Sequence, residues 1–371
     1  MQSGSIIVVK VGTSSLTDSK GDIVPEKITD ITDQLHMLHE QGLKPVLVTS
    51  GAIAAGFRRL GFKKRPRAIP DKQASAAVGQ GLLMEQYAEN LMKKGLACGQ
   101  LLLNKDDFAN RQRYSNAFNS MQVLLSRDAI PIINENDAIA VDEIKIGDND
   151  TLSAQVAAML HAKMLILLTD IDGLYTSNPR TDPEAKHIPR VKNIGSDILA
   201  SAGQAGSANG TGGMITKLHG AMIATAAGVE TVICSSEEEN AIVRAVEGTI
   251  KCTVFEAASN VMHAKKQWMA FYAESCGNLY VDEGAAKALT TRGSSLLSAG
   301  IVAVEGEFVK GDIIDVYSRC EHTHLGRGAA LCSRSDVLRA LKTGVSGLEV
   351  INRDDWVASL SFIKGGENDA Y

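Results

Sequence analysis

Two lysines far apart in the chain stand next to sequence that suits anion binding. Lys10 follows four apolar residues and precedes Gly12, and Lys217 follows the most glycine-rich stretch of the chain, residues 201–213. A strand or glycine-rich loop that opens into a helix can direct backbone N–H groups at an anion. The pattern therefore predicts that both lysines bind phosphate groups. The structural alternatives are a lysine that reaches water from a strand end and a surface linker over 201–213.

Small and polar residues also follow two predicted strands. Ser50 and Gly51 come after the strand 45–49, and Asn134–Asp137 comes after the strand 130–133. In parallel sheets covered by helices, ligands bind beyond the carboxyl ends of the strands. Ser50 acting only as a helix N-cap is the simpler alternative. The residues expected to converge on one crevice are Lys10, Gly12, Ser50, Gly51 and Asn134–Asp137.

Residues 147–153 carry acidic and amide side chains ahead of a helix predicted over 154–161. A plain turn with a helix cap explains such a segment equally well. Its position one short loop after Asp137 favours a place in the same crevice. Asp150 could then lie between Lys10 and Lys217 and hold both.

Lysines, glycine-rich amides and carboxylates in one crevice suit phosphoryl transfer, which depends on positioning and charge stabilisation. The candidate residues include no histidine or cysteine, so a neutral-pH general base is missing. A carboxylate acceptor, with a reference pKa of about 4.3, is already ionised and needs no base. The product would be an acyl phosphate. The chain has no GxxxxGK[ST], HRD or DFG motif, which excludes the two common nucleotide-kinase classes.

Strands and helical segments alternate over the first part of the chain, which predicts an α/β fold with a mostly parallel sheet sandwiched by helices. From about Trp268 short strands and turn glycines predict a small β-rich domain. We expect a catalytic domain over 1–257, a linker over 258–268, and a β-rich domain with a C-terminal tail over 269–371.

Composition narrows the function further. The net charge of −5 and the acidic excess in residues 270–371 argue against a nucleic-acid-binding surface. The six cysteines include no CxxC pair, so neither a disulfide framework nor a zinc site is predicted. The chain has no apolar run of roughly 18 residues and no signal pattern, and we expect a cytoplasmic location without membrane association.

The first 255 residues resemble the amino acid kinase family. The motifs that carry the resemblance, in chain order and with no block missing, are VVKVGTSSLT, VTSGAIAAG, INENDAI, GDNDTLSA, LLTDIDGLYTSNPR and GTGGMITK. Residues 276–354 resemble a PUA domain through RGSSLL at 292–297 and FVKGD at 308–312. The motif set is most similar to the glutamate-phosphorylating branch of the family.

The resemblance implies that the chain uses ATP and Mg²⁺ to phosphorylate the γ-carboxylate of L-glutamate, giving L-glutamyl 5-phosphate. It further implies that this reaction opens proline biosynthesis, with L-proline as feedback inhibitor and glutamyl-phosphate reductase acting downstream. A homo-oligomer, dimer or tetramer, is also implied, and RNA is not an expected partner.

Site residues carry over from the resemblance by position, together with neighbours predicted from the sequence itself. The residues expected to bind ATP are Lys10, Gly12, Thr169, Asp170, Thr211, Gly212, Gly213, Met214, Ile215, Thr216 and Lys217. The residues expected to bind glutamate are Ser50, Gly51, Asp137, Asp148 and Asn149, where Asp148 either contacts substrate or only shapes its loop. Asp150 is expected to organise the catalytic pair Lys10 and Lys217. Asp137 suits the substrate ammonium group, and Asn149 and the Ser50–Gly51 turn suit its carboxylates.

Three alternatives remain open at this point. The first is another acyl-phosphate kinase of the same fold that acts on N-acetylglutamate, aspartate or carbamate. The second is an RNA-binding protein, because PUA domains commonly bind RNA. The third is a regulatory protein without catalysis, although every charged residue that phosphoryl transfer requires is in place.

Overall fold

A computed structural model describes residues 1–139, 149–195, 197–199, 213–259, 264–291, 293–320 and 322–359. The chain divides into two compact units, Met1–Val261 and Met262–Tyr371. The exact domain boundaries at 257 and 268 stay a prediction. Within the described residues, no helix has the length and apolar character needed to cross a membrane.

The first unit is built on an eight-stranded sheet with the strand order β3-β4-β2-β1-β5-β9-β10-β8. Every neighbouring pair from β3 to β9 is parallel, β9 and β10 are antiparallel, and β10 and β8 are parallel. The strands of this sheet are β1 (Ile6–Val11), β2 (Lys44–Val48), β3 (Cys98–Leu103), β4 (Ile130–Glu135), β5 (Met164–Thr169), β8 (Arg190–Val191), β9 (Glu230–Ser235) and β10 (Cys252–Phe255). A separate two-stranded ladder joins β6 (Leu174–Tyr175) to β7 (His187–Ile188).

The described helices of this unit are α1 (Thr13–Leu16), α2 (Pro25–Glu40), α3 (Ala52–Gly56), α4 (Ile69–Met92), α5 (Lys105–Ala109), α6 (Arg111–Ser126), α7 (Asn149–Met159), α8 (Met214–Ala226) and α9 (Ala241–Glu247). Strand β1 is buried from Ile7 to Val11, as expected for a central strand covered on both faces. The predicted α/β class with a mostly parallel sheet is confirmed.

Helix α7 begins at Asn149, five residues before the predicted start at 154. All its residues except Thr151 are buried, so the acidic and amide side chains that resembled a turn lie inside the protein. The prediction missed this because polar residues at a helix start are usually solvated caps. As a result, Asn149 and Asp150 lie in the first turn of a buried helix.

Helices α3 and α4 cross with their backbones in direct contact. A Cβ at Gly79 would lie 1.8 Å from the carbonyl oxygen of Ala52, and one at Gly56 would lie 1.9 Å from that of Ser75. Only glycine permits this approach. The crossing fixes the middle of α4 against the residues that follow Ser50 and Gly51.

The second unit is the β-rich domain predicted from the sequence. Its six-stranded sheet has the order β12-β16-β15-β14-β11-β13 and is antiparallel except for the pair β11 and β14. The strands are β11 (Gly277–Val281), β12 (Leu296–Leu297), β13 (Ile301–Gly306), β14 (Ile313–Ser318), β15 (His324–Ala330) and β16 (Glu349–Ala358), and the helices are α10 (Ala264–Phe271), α11 (Glu283–Thr291) and α12 (Arg334–Thr343).

Candidate active site

Asp150 lies between the two lysines that the sequence singled out. Its Oδ1 is 2.7 Å from the Nζ of Lys10, and its Oδ2 is 3.2 Å from the Nζ of Lys217. Thr216 adds a hydrogen bond from its Oγ1 to the same Oδ2 at 2.7 Å. The structure thus brings together the three side chains that the sequence placed in one site, and we call Lys10, Asp150 and Lys217 the lysine cluster.

Three elements meet to build the lysine cluster. Lys10 lies near the carboxyl end of the central strand β1, and Asp150 and Lys217 lie in the first turns of α7 and α8. These two helices touch closely, because a Cβ at Gly220 would lie 2.9 Å from the carbonyl oxygen of Asp150. Gly12 lies next to Lys10, since a Cβ there would be in van der Waals contact with the Nζ of Lys10 at 3.5 Å.

The lysine cluster is buried and carries an excess positive charge. Asp150 is 2% exposed and each lysine is 7% exposed. Burial alone would raise the pKa of Asp150, but the charges of Lys10 and Lys217 outweigh it and hold the pKa below its usual range. Burial lowers the pKa of Lys217, and the Asp150 carboxylate opposes that effect. Two lysines and one carboxylate leave one positive charge, which an anionic ligand would neutralise.

A chain of buried amide groups lies next to the lysine cluster, and we call Gln80, Asn134 and Asn149 the amide chain. The Nδ2 of Asn149 donates to the Oδ1 of Asn134 at 3.0 Å, and the Nδ2 of Asn134 donates to the Oε1 of Gln80 at 2.8 Å. Asn149 also donates to the Oγ of Ser50 at 2.7 Å and to the carbonyl oxygen of Thr49 at 2.9 Å. The ends of strands β2 and β4 are thereby joined to the start of α7.

The hydrogen bonds of Asn149 change the role expected for its amide. The sequence suggested that Asn149 donates to a substrate carboxylate. The two hydrogens of its Nδ2 are already shared among three protein acceptors, whereas its buried Oδ1 has no partner among the described residues. The free atom is therefore an acceptor, which suits an ammonium group and does not suit a carboxylate.

A cavity of about 260 Å³ opens beside the amide chain. Gln80 lines it together with Glu135, Asn136 and Asp137, and Ala52 of α3 forms part of the wall. Asp137 is half-buried. Its place in the cavity wall is consistent with the predicted contact to a substrate ammonium group.

The predicted ATP-binding residues of β5 and α8 lie near the lysine cluster. Thr169 ends β5, and its Oγ1 donates to the Oδ1 of Asp170 at 3.1 Å. Asp170 also pairs with Arg180 at 2.8 Å and acts on the pKa of Lys217. Gly213 is the N-cap of α8 and accepts a hydrogen bond from Thr216.

The remaining predicted positions divide into three groups. Met214 is half-buried and Ile215 is exposed in the first turn of α8. Gly51 has a φ of 102° and starts α3, where its Cβ position would lie 3.3 Å from Leu16 and Ile23 side-chain atoms. The positions that lie outside the described residues are Asp148, Thr211 and Gly212.

Sequence reasoning missed Gln80 and Thr49. Gln80 lies in the middle of a long helix, where a polar residue normally faces water, and no nearby motif marks it. Thr49 ends the predicted strand 45–49, and its backbone oxygen is what contacts Asn149. Gly79 is the one local signal that this part of α4 approaches another element.

The described part of the chain offers no full set of protein ligands for a metal ion. Those residues include no group of three or more His, Cys, Asp or Glu side chains placed to hold a metal. Asp150 is already bonded to two lysines and Asp170 to Arg180. A Mg²⁺ ion often binds through substrate phosphates and water with one or two carboxylates, and only that mode fits these residues.

Comparison with known proteins agrees with the fold. The profile of the amino acid kinase family matches residues 5–235, and that of the PUA domain matches residues 277–348. The chain belongs to the amino acid kinase family, and it is a kinase with a C-terminal PUA domain.

Two similar proteins have names that point to one kind of amino acid kinase. A protein of Streptococcus suis named glutamate 5-kinase is 54% identical over 352 residues, which cover 95% of this chain and 98% of that protein. A glutamate 5-kinase of Streptococcus pneumoniae strain Hungary19A-6 is 53% identical over 356 residues, 95% of each chain. The solved structure of carbamate kinase from Giardia lamblia bound to AMP-PNP has a TM-score of 0.50 and 19% identity, covers 70% of this chain and all of its own, and supports the fold alone.

Proposed function

We propose that this kinase transfers the γ-phosphoryl group of ATP to the γ-carboxylate of L-glutamate. A carboxylate oxygen attacks the γ-phosphorus, the bond from that phosphorus to the bridging oxygen of ADP breaks, and L-glutamyl 5-phosphate and ADP leave. No proton has to move, because the acceptor is ionised at neutral pH. Full-length relatives named glutamate 5-kinase support the choice of substrate.

The single observation that carries the proposal is the join between the lysine cluster and the amide chain. Asn149 and Asp150 are consecutive, so one helical turn holds a group for the amino acid and a group for the lysines. The net positive charge of the lysine cluster suits the phosphoryl group as it moves from ADP to the acceptor. The amide chain and Asp137 suit the charged amino-acid end of the substrate.

The ATP-binding role of Lys10, Gly12, Thr169, Asp170 and residues 211–217 is part of the same proposal. So is Mg²⁺, which we expect to be held by phosphate oxygens and to neutralise charge on them when bound. Lys10 and Lys217 would contact the transferred group directly. Ser50 has its Oγ hydrogen available, because it accepts from Asn149 in the bond between them.

The finer partners predicted from the sequence remain proposals. They are inhibition by L-proline, a homo-oligomer, consumption of the product by glutamyl-phosphate reductase, and a cytoplasmic location. Light scattering tests the oligomer, and cell fractionation tests the location. Steady-state inhibition by L-proline, competitive or not with glutamate, tests the regulation.

The test of the reaction is an assay in which hydroxylamine traps the acyl phosphate as a hydroxamate. It is run with ATP and Mg²⁺ and with L-glutamate, L-aspartate, N-acetyl-L-glutamate or carbamate as acceptor. We expect hydroxamate from L-glutamate in large excess over the other amino acids, and no ADP formation above background with carbamate. Selective use of another acceptor would overturn the glutamate assignment but keep the phosphate site.

A further inference from the structure

Backbone groups fix the orientation of two amides of the amide chain, Asn149 and Asn134. The carbonyl oxygen of Thr49 can only accept, so the atom of Asn149 that faces it at 2.9 Å is the nitrogen. The N–H of Glu135 can only donate, so the atom of Asn134 that faces it at 2.8 Å is the oxygen. An amide flip at either position would place two donors or two acceptors together.

This order determines what Gln80 presents. Because the oxygen of Asn134 accepts, its nitrogen is the atom that faces Gln80, and the Oε1 of Gln80 accepts that hydrogen bond at 2.8 Å. The Nε2 of Gln80 is therefore left over. It is buried and has no hydrogen-bond partner among the described residues. Gln80 as a whole is 9% exposed and lines the cavity next to Asp137.

A buried donor without a partner destabilises the fold unless a ligand satisfies it. Close packing holds this part of α4 in place, since Gly79 allows α4 to approach the start of α3. The Nε2 of Gln80, at the cavity wall, therefore suits an acceptor atom of a bound ligand. In the proposed substrate, the only acceptors at the end away from the lysine cluster are the oxygens of the α-carboxylate.

We propose that Gln80 is a specificity-determining residue whose Nε2 donates to the α-carboxylate of the amino-acid substrate. This inference rests on the proposed function. Within it, the free Oδ1 of Asn149 and the carboxylate of Asp137 accept from the α-ammonium group, and Gln80 supplies the matching donor. The amide chain thus offers one acceptor and one donor to an α-amino acid, while the γ-carboxylate faces Lys10 and Lys217.

The test compares L-glutamate with its α-amide, in which one acceptor oxygen is replaced by a donor NH₂. The variant is Gln80→Glu, which keeps the shape and replaces the Nε2 donor by an acceptor. We expect the kcat/KM for L-glutamate to fall roughly 10- to 100-fold, mainly through KM, as for the loss of a hydrogen bond to a charged group. The α-amide should lose much less, so the preference for L-glutamate should fall about tenfold or more.

The matched control is Gln86→Glu, the same change six residues further along α4 at a position that lines a different cavity. It should leave the preference for L-glutamate unchanged. If Gln80→Glu does not fold, Gln80→Met carries the same test, because it removes the donor without adding charge. In both Gln80 variants the KM for ATP should stay within about twofold of the wild-type value.

An equal loss with both substrates, or no loss at all, would overturn the inference. An equal loss would mean that Gln80 only supports Asn134 within the amide chain. Wild-type protein that does not phosphorylate L-glutamate would overturn the proposed function and this inference with it, and that result is seen before any variant is measured.

Discussion

Each unit of this protein holds a buried aspartate between two basic side chains, and the two sites differ in the hydrogen bonds that those side chains make. Asp150 is bonded to Lys10 and Lys217. Asp315 is bonded to the Nε of Arg327 at 2.9 Å and to the Nε2 of His324 at 3.0 Å. Asp150 is 2% exposed and Asp315 is 7% exposed. Burial therefore does not distinguish them.

The two aspartate sites differ in how many N–H donors of the basic groups are still without a hydrogen bond to the described residues. The NH1 of Arg327 donates to the backbone oxygens of Ala273 and Met269, so the guanidinium closes the end of α10. Lys10 and Lys217 have three N–H donors each, and within the described residues their ammonium groups bond only to Asp150. The guanidinium of Arg327 therefore stabilises the fold, whereas the two ammonium groups keep N–H donors that the proposed anionic ligand would use.

The largest effect is expected for removal of the aspartate of the lysine cluster. Asp150→Asn leaves two buried lysines without a carboxylate and should lower the free energy of unfolding by about 3–5 kcal/mol, measured by chemical denaturation. Pyrophosphate should restore part of that loss. Asp315→Asn should also destabilise the protein, but pyrophosphate should restore none of it. Equal rescue of both variants would contradict the distinction between the two sites.

The pH dependence of that loss has a definite sign. The pKa of Asp150 is lower in the folded protein than its ordinary value of 3.8, so the ionised carboxylate stabilises the fold above that pH. The contribution is lost as the pH falls through the folded pKa. The difference in stability between wild type and Asp150→Asn should thus be constant near neutral pH and shrink below about pH 4.

The next effect is on catalysis. Lys217→Ala should lower kcat by about 10²- to 10³-fold, because it removes the buried ammonium group that donates to the phosphoryl group during transfer. Arg327→Ala should leave kcat unchanged, although it lowers stability. The matched control in the first unit is Lys163→Ala, which changes an exposed lysine just before β5. Near-normal turnover in Lys217→Ala would remove the basis for the proposed mechanism.

The smallest effect concerns the helix crossing that supports the amide chain. Gly79→Ala forces a methyl group to within 1.8 Å of the carbonyl oxygen of Ala52 and should cost about 1–3 kcal/mol of stability. Gly81→Ala has open space around it and should instead stabilise α4 by up to about 1 kcal/mol. Thermal unfolding of the pair measures both signs. A stabilised Gly79→Ala variant would show that the crossing is not tight.

Much of the site was predictable because it follows from the order of strands and turns. Lys10, Ser50 and Asn134 come at or just after the ends of parallel strands, and such ends share one edge of the sheet. The approach of Asp150 to Lys10 and Lys217 was also predictable from charge, because buried lysines need a partner.

The rest depends on contacts that no local pattern encodes. Gln80 enters the site because Gly79 lets two helices meet, and glycine in a helix has several possible reasons. The direction of the Asn149 amide is set by the backbone oxygen of Thr49, a group that every residue has. The extension of α7 back to Asn149 depends on burial of polar residues whose partners lie far away in sequence.

The central claim is that a carboxylate oxygen of L-glutamate attacks the γ-phosphorus of ATP at the lysine cluster. It is tested by supplying L-glutamate with both γ-carboxylate oxygens labelled with ¹⁸O and releasing the phosphate with hydroxylamine, which attacks the acyl carbon. The account predicts inorganic phosphate that carries one ¹⁸O atom from glutamate, detected by mass spectrometry. Phosphate without the label would mean that water is the attacking group and would contradict the account.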